Sequence, residues 1–214
     1  AHLVARYNFE NPGSPGADTS GNGNNNNCTG SSGPNADSAS SDAAIGTFAR
    51  RFFGDTTICF TDSGSAFANL SNALAGNFTV SAWIKTTSSL GADEDDAYWG
   101  MPVFYAEGFG ENYTHPLSIT GSKAAFTIYD QNGDPVTLHS TTSVNDGTYH
   151  FLAVTRHQTS GEMKLYVDGS LEATTTSTTS ALITGTYCEL AGGNGHFTGW
   201  MDDVRIYSTN LTAG

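Results

Sequence analysis

The chain has 214 residues and a formal net charge of −13, from 21 Asp and Glu against 8 Lys and Arg. It therefore lacks the clustered cations that nucleic acid or an anionic membrane surface demands. Charged residues are only 14%, hydrophobic residues 37% and aromatics 11%. A real core is available, and the Gly, Ser, Thr and Asn that fill the gap favour short strands and polar turns over helices.

No apolar run approaches the roughly 20 residues of a membrane-spanning helix. The first residues already follow a strand pattern, which reads as a mature chain or an excised domain. "AHLVARYNFE" alternates, placing Leu3, Ala5, Tyr7 and Phe9 on one face. The Gly/Asn/Ser/Pro segment that follows is flanked by strand patterns, so it reads as a structured surface loop. Apolar material returns in "IGTFARRFFGDTTICF", and "SAFANL" at 65–70 reads as a short strand or turn. "GNFTVSAWIKT" is the clearest strand, with Phe78, Val80, Ala82 and Ile84 on one face and Thr79, Ser81 and Trp83 on the other. After the acidic loop "LGADEDDAYWG", "MPVFYAEG", "PLSITG" and "AAFTIYD" read as a meander, and the Asn-Gly of "DQNGDP" marks a hairpin turn. "VTLHSTT" follows. "GTYHFLAVTRH" and "EMKLYVDGSLEATTT" then pair across "QTSG", with Val167-Asp168-Gly169 turning inside the second. "ALITGTYCELAGG" and "GWMDDVRIY" complete the pattern. No amphipathic helix of ten residues or more is expected. Short strands separated by turn chemistry predict an all-β sandwich or jelly roll, and no linker divides two cores, so residues 1–214 read as one domain.

The three cysteines, Cys28, Cys59 and Cys188, have no zinc-site spacing. Cys28 and Cys59 suit a loop-to-strand disulfide in a secreted protein, and Cys188 suits a buried thiol; three reduced thiols are the alternative. In "GWMDDVRIY", strict alternation puts Asp202 on the side of Trp200, Val204 and Ile206. A lone charge there is costly. Its partner is a cation, the Arg6 side chain, or backbone N–H groups.

"ADTSGNGNN", "NFTVSAWIKT", "YHFLAVTRHQTSGEMKLYVDGSLEAT" and "GWMDDVRIYSTNLTAG" together resemble the laminin-G-like/pentraxin-like members of the concanavalin A-like jelly-roll superfamily. The resemblance spans nearly the whole chain. It implies two packed antiparallel sheets, with the closing strand near the first strand. It also implies a calcium ion at that corner. Calcium takes about 6–8 oxygen ligands, and the corner would offer Glu10, Asp18, Asn24 and Asp202. On this reading Asp203 is the solvent-facing neighbour of Asp202.

The family architecture places the loops between the first long strands at the rim of a binding surface. It would expose Tyr98 and Trp99, whose rings suit stacking on a sugar; a buried plug is the alternative for Trp99. In "GFGENYTHP", Asn112, Tyr113 and His115 combine planar polar groups with an aromatic, which suits carbohydrate hydroxyls. The two loops flank one strand, so they either converge or lie at opposite ends. Asp93, Glu94, Asp95 and Asp96 read as a solvated acidic loop, with a second calcium site as the alternative. His150 and His157 read as structural.

No strand carries the carboxylate spacing of jelly-roll hydrolases, and the chain is poor in the cations that a uronate lyase uses. The expectation is a non-catalytic, secreted or cell-surface carbohydrate-binding module, taken from a larger extracellular protein, with structural Ca2+. Its partner would be a glycan or a cell-surface or matrix ligand, without nucleic-acid contact or membrane insertion. A protein-interaction or adhesion module of the laminin-G type is the alternative, and a polysaccharide lyase or glycoside hydrolase a more distant one.

Overall fold

The computed structural model describes residues 2–26, 28–31, 38–61, 65–107 and 110–212. In chain order the strands are β1 (Leu3–Tyr7), β2 (Cys28–Ser31), β3 (Ser38–Ser40), β4 (Ala49–Phe53), β5 (Thr56–Thr61), β6 (Phe78–Lys85), β7 (Met101–Ala106) and β8 (Tyr113–Thr120). They continue as β9 (Lys123–Tyr129), β10 (Pro135–Ser143), β11 (Tyr149–His157), β12 (Glu162–Val167), β13 (Ser170–Thr176), β14 (Tyr187–Leu190) and β15 (Thr198–Tyr207). One helix, α1, covers Ser65–Ala75.

The strands form two antiparallel sheets. Sheet A runs β13-β12-β11-β6-β15-β4-β3, with β1 also paired to β15; sheet B runs β10-β9-β8-β7-β14-β5-β2. This is the jelly-roll sandwich read from the sequence. The inward row Phe78, Val80, Ala82 and Ile84 of β6 is fully buried, facing rows such as Phe126 and Ile128 of β9. The β12–β13 turn uses Asp168 (φ 50°) and Gly169 (φ 83°). These left-handed conformations fit a two-residue hairpin whose twist matches its strands.

Residues 65–75 overturn the expectation of a short strand or turn and of no long helix. Ala66, Phe67, Leu70, Ala73 and Leu74 are buried, a period near 3.6 that plugs the sandwich between β5 and β6. Arg156 of β11 secures its end. The guanidinium is fully buried and donates to the Ala75 and Gly76 carbonyls (3.1 and 2.8 Å) and to those of Thr178 and Ser180 (3.1 and 2.6 Å). Burial lowers its pKa to about 10, which still leaves it charged at neutral pH.

The closing strand also departs from strict alternation. β6 pairs along the length of β15, while the other edge of β15 is shared by β4, opposite 198–201, and β1, opposite 204–207. Between them β15 bulges, so that Asp203 and Val204 both oppose Ala82. Asp203 has φ 47°. The bulge resets the alternation: Met201 points inward before it, and Val204 and Ile206 after it. Asp202 is therefore buried at a strand junction rather than in the apolar row. Asp203 is not solvent-facing either; it is 3% exposed. Its Oδ1 takes the Arg6 Nε–H at 2.6 Å, and its other oxygen pairs with Arg205. Arg6 thus pairs with Asp203, not with Asp202.

Candidate functional site

The outward positions of sheet B gather an aromatic cluster. Tyr113 of β8 stands opposite Tyr129 of β9 in the register, and their rings stack at 4.1 Å. His115, two residues along β8, stacks on Tyr105 of β7 at 5.1 Å, with Tyr113 edge-on at 5.4 Å and Tyr98 at 5.3 Å. Tyr187 of β14 stacks on the far side of Tyr105. His115 is 2% exposed, and neither ring nitrogen has a hydrogen-bond partner. Burial lowers its pKa to about 3, so the imidazole is neutral at physiological pH.

The acidic loop before β7 folds over this face. Asp96 accepts the Tyr98 N–H (2.9 Å) and the Tyr129 hydroxyl (2.9 Å). The Ala97 N–H reaches Thr127 Oγ1 on β9 (2.9 Å), and His139 Nε2 contacts the Asp95 carbonyl (2.7 Å). Asp93 accepts from Ser122, and Asp95 from the Ala92 N–H. Three of the four loop acids therefore fasten the loop down instead of being merely solvated. Gly100 allows the close approach: a Cβ there would lie 2.4 Å from the Ile119 carbonyl oxygen. The product is a fixed outer surface. Trp99 is 58% exposed and meets Tyr98 edge-on at 4.9 Å.

The acidic loop thus folds back across the sheet onto β8, where Tyr113 and His115 are strand residues and not loop residues. The structure brings together Tyr98, Trp99, Tyr113 and His115. Asn112 turns elsewhere: its Oδ1 accepts the Thr178 hydroxyl (3.3 Å), its N–H bonds the Asp130 carbonyl, and its carbonyl takes the Ile183 N–H. Residues 108–109 of the loop before β8 lie outside the described residues. Sequence reading missed Tyr105, Tyr129 and Tyr187. Parity was the available signal, since each neighbours an inward apolar residue (Phe104, Ile128, Cys188).

Two carboxylates flank the cluster. Glu107 accepts the Thr186 N–H and hydroxyl (2.5 and 2.6 Å). Glu189 is held by the Gly193 N–H and the Thr57 hydroxyl, and burial raises its pKa. Each fastens a neighbouring loop. His150 is structural, held between Asp168 (2.8 Å) and Asp146 (3.3 Å).

The four expected calcium ligands divide into two pairs. Asp18 accepts the N–H groups of Arg6, Ser20 and Asn24 and the Ser20 hydroxyl (2.8–2.9 Å). Burial works against its charge, but these donors outweigh it and hold the pKa below the ordinary value. Asn24 Oδ1 accepts from Asn69 at 2.6 Å. Both side chains, like that of Glu10, are engaged by N–H or O–H donors. Glu10 and Asp202 meet at one segment: Glu10 accepts from the N–H groups of Thr47 and Phe48, and Asp202 Oδ2 from those of Ala44 and Ile45 (3.0 and 2.9 Å). Asp202 Oδ1 is buried without a partner, and desolvation raises the carboxyl pKa to about 6. That oxygen fits a cation. Among the described residues no group of three or more His, Cys, Asp or Glu side chains converges, so backbone carbonyls and water would complete any shell.

Two sheets closed by β15, with an aromatic surface on one outer face, define a lectin-type jelly roll. The chain belongs to the concanavalin A-like lectin/glucanases superfamily, whose laminin-G-type model matches residues 60–214. No curated protein matches. Domain 4 of AbnA, a GH43 extracellular arabinanase from Geobacillus stearothermophilus solved in complex with arabinotriose, superposes with a TM-score of 0.71 at 19% identity, covering 100% of this chain and 95% of that one. A botulinum neurotoxin type C structure, from work on cell entry through two ganglioside molecules, gives 0.69 at 14% identity over 99% of this chain. The binding domain of Paraclostridial Mosquitocidal Protein 1 gives 0.61 at 14% identity over 99%. This chain spans about half of each of those two, 49% and 50%.

Proposed function

We propose that this chain is a non-catalytic, extracellular carbohydrate-binding module of a larger secreted protein. It would take neutral glycans on the Tyr98–Trp99 surface of sheet B. The carrying observation is Trp99: a large ring held in the open by a loop tied to two strands, β9 and β10, over a packed aromatic cluster. A pre-ordered aromatic plane costs little entropy on binding, and its apolar face matches the C–H face of a pyranose or furanose. Glycans in the AbnA and neurotoxin work support the reading. Glu107 and Glu189, each occupied by a loop, favour binding over hydrolysis.

We also propose a structural calcium ion at the unpartnered Asp202 oxygen, where β1, β4 and β15 meet, with backbone carbonyls and water completing its shell. It would neutralise the unpartnered Asp202 oxygen and leave binding chemistry to the other sheet. β2 and β5 place Cys28 directly opposite Cys59 in the antiparallel register. A disulfide there suits an extracellular chain. Thiol labelling after denaturation would then find one reactive cysteine, Cys188, whereas three would remove the bridge. Other exposed large apolar residues, Ile45, Leu90, Leu171 and Ile183, sit singly on separate elements. That scatter gives a laminin-G-type protein interface less support. A neutral-glycan array tests the main proposal: binding that Trp99→Ala removes supports it, and a blank array rejects it.

A further inference from the structure

The outer face of sheet A carries a second, differently built feature. In one register row across four strands stand Arg205 of β15, Ser81 of β6, Ala153 of β11 and Tyr166 of β12. Ser81 and Ala153 are small, so they form a floor between a guanidinium and a phenol. With strands about 4.8 Å apart, the two walls are about 14 Å apart at the backbone. Phe151, packed on Trp83 at 5.3 Å, closes one end. Tyr207 and the segment through Leu211 close the other, and that segment is pinned because Thr79 Oγ1 donates to the Thr209 carbonyl and accepts the Leu211 N–H. The trough encloses about 260 Å³, enough for one sugar ring and part of a second.

Its charge is unusual for this chain. Of the eight Lys and Arg residues, only Lys123 lies outside the strands of sheet A. Arg205 and Arg6 both pair with the single carboxylate of Asp203. The two guanidiniums share that carboxylate, so Arg205 does not have an acid to itself. Arg205 is about one-third exposed at the trough, where it pairs with Asp203 and hydrogen-bonds Tyr207. A guanidinium has five N–H donors, and the exposed edge of this planar group suits a carboxylate. The Ser81 and Thr155 hydroxyls line the same space and suit a polyhydroxylated body better than an acyl chain. The net charge of −13 repels polyanions at long range, so a single carboxylate is the fitting charge.

We infer that this trough binds a carboxylated saccharide, with the carboxylate on Arg205 and a sugar face against Phe151 or Tyr166. The site is separate from the Trp99 surface and does not depend on it.

The test uses the intact chain, isotope-labelled for amide NMR. It is titrated with 3′-sialyllactose and with a glucuronic-acid-substituted xylotriose, each against its neutral parent, lactose or xylotriose. The expected result is that at least one acid shifts amides in 79–81, 151–155 and 205–207 while its parent binds at least tenfold more weakly. Arg205→Gln should bring the acid down to the parent's level. Ala153→Leu fills the floor without touching the Asp203 pairs and should block binding with the spectrum elsewhere unchanged. The inference is overturned if neither acid binds, if acid and parent bind equally, if Ala153→Leu binds as well as wild type, or if the shifts fall only on 98–115. Failure of neutral glycans at Trp99 would leave these outcomes unaffected.

Discussion

The outer faces of the two sheets solve the same problem in opposite ways. On sheet B, large rings fill the space: Tyr105, Tyr113, Tyr129 and His115 pack until they are buried, and only Trp99 stands clear. On sheet A, small residues leave the space open, and one guanidinium, Arg205, stands on its wall. The first face offers an exposed ring at the end of an acidic loop, the second a recess with a guanidinium on its wall. The difference teaches that outward-facing side-chain size, not the shared backbone, decides whether a sheet presents a platform or a trough.

The largest expected effect strikes both faces together. Arg156→Met strips a buried cation from four carbonyls and frees the end of α1. We expect a loss of about 3–5 kcal/mol in urea unfolding; a loss below 1 kcal/mol would mean that the helix and the 178–180 segment hold without it. Calcium removal should separate the faces. A ligand at 100 times its Kd adds about 2.7 kcal/mol, so chelator should lower Tm and perturb amides near 44–48 and 202 while leaving Trp99 fluorescence unchanged. The proton competes for Asp202, whose folded pKa is about 6, so calcium affinity should weaken as pH falls through 6. A pH-independent calcium affinity would place the ion elsewhere.

Smaller effects probe the platform. Trp99→Ala should cost about 2 kcal/mol of glycan affinity, some 30-fold, as truncation of an anchoring aromatic does. Stability should change by less than about 0.5 kcal/mol, since the ring is mostly exposed. His115 supplies a pH signature. Its folded pKa of about 3 lies below the ordinary 6.5, so the unfolded chain takes up a proton first. Stability is complete above 6.5 and is lost as pH falls toward 3, by about 1 kcal/mol at one unit below 6.5. His115→Phe should flatten that slope in thermal melts. Asp202 has the opposite sign: raised in the folded state, it stabilises below its ordinary 3.8, and that contribution disappears as pH climbs through 6. An unchanged slope in His115→Phe would show that the imidazole is not the titrating group.

Much of this was legible in the sequence, for physical reasons. Period-two alternation marked the inward rows of β1 and β6, and Asp168-Gly169 marked a turn. The family resemblance brought the closing strand to β1. Alternation failed where the chain breaks its own period: at Asp203, where a left-handed residue inserts an extra position, and at 65–75, where small residues and Asn hide a helical stripe. The five ligand-site residues were chosen by type, and four converge, because the acidic loop folds back through hydrogen bonds to Thr127 and Tyr129 of one distant strand, β9. Asn112, Asp18 and Asn24 were well chosen by chemistry but are occupied by partners that spacing does not reveal. The trough was invisible because its floor is made by absence of bulk at Ser81 and Ala153, a property of four strands in register.

The central claim, that Trp99 and Tyr98 form a glycan platform, is tested most directly by probing one neutral-glycan array with wild type and Trp99→Ala side by side. The account predicts a defined set of bound neutral glycans that the variant loses, with both proteins equally stable. No binding by wild type, or the same glycans bound by the variant with equal strength, would contradict it.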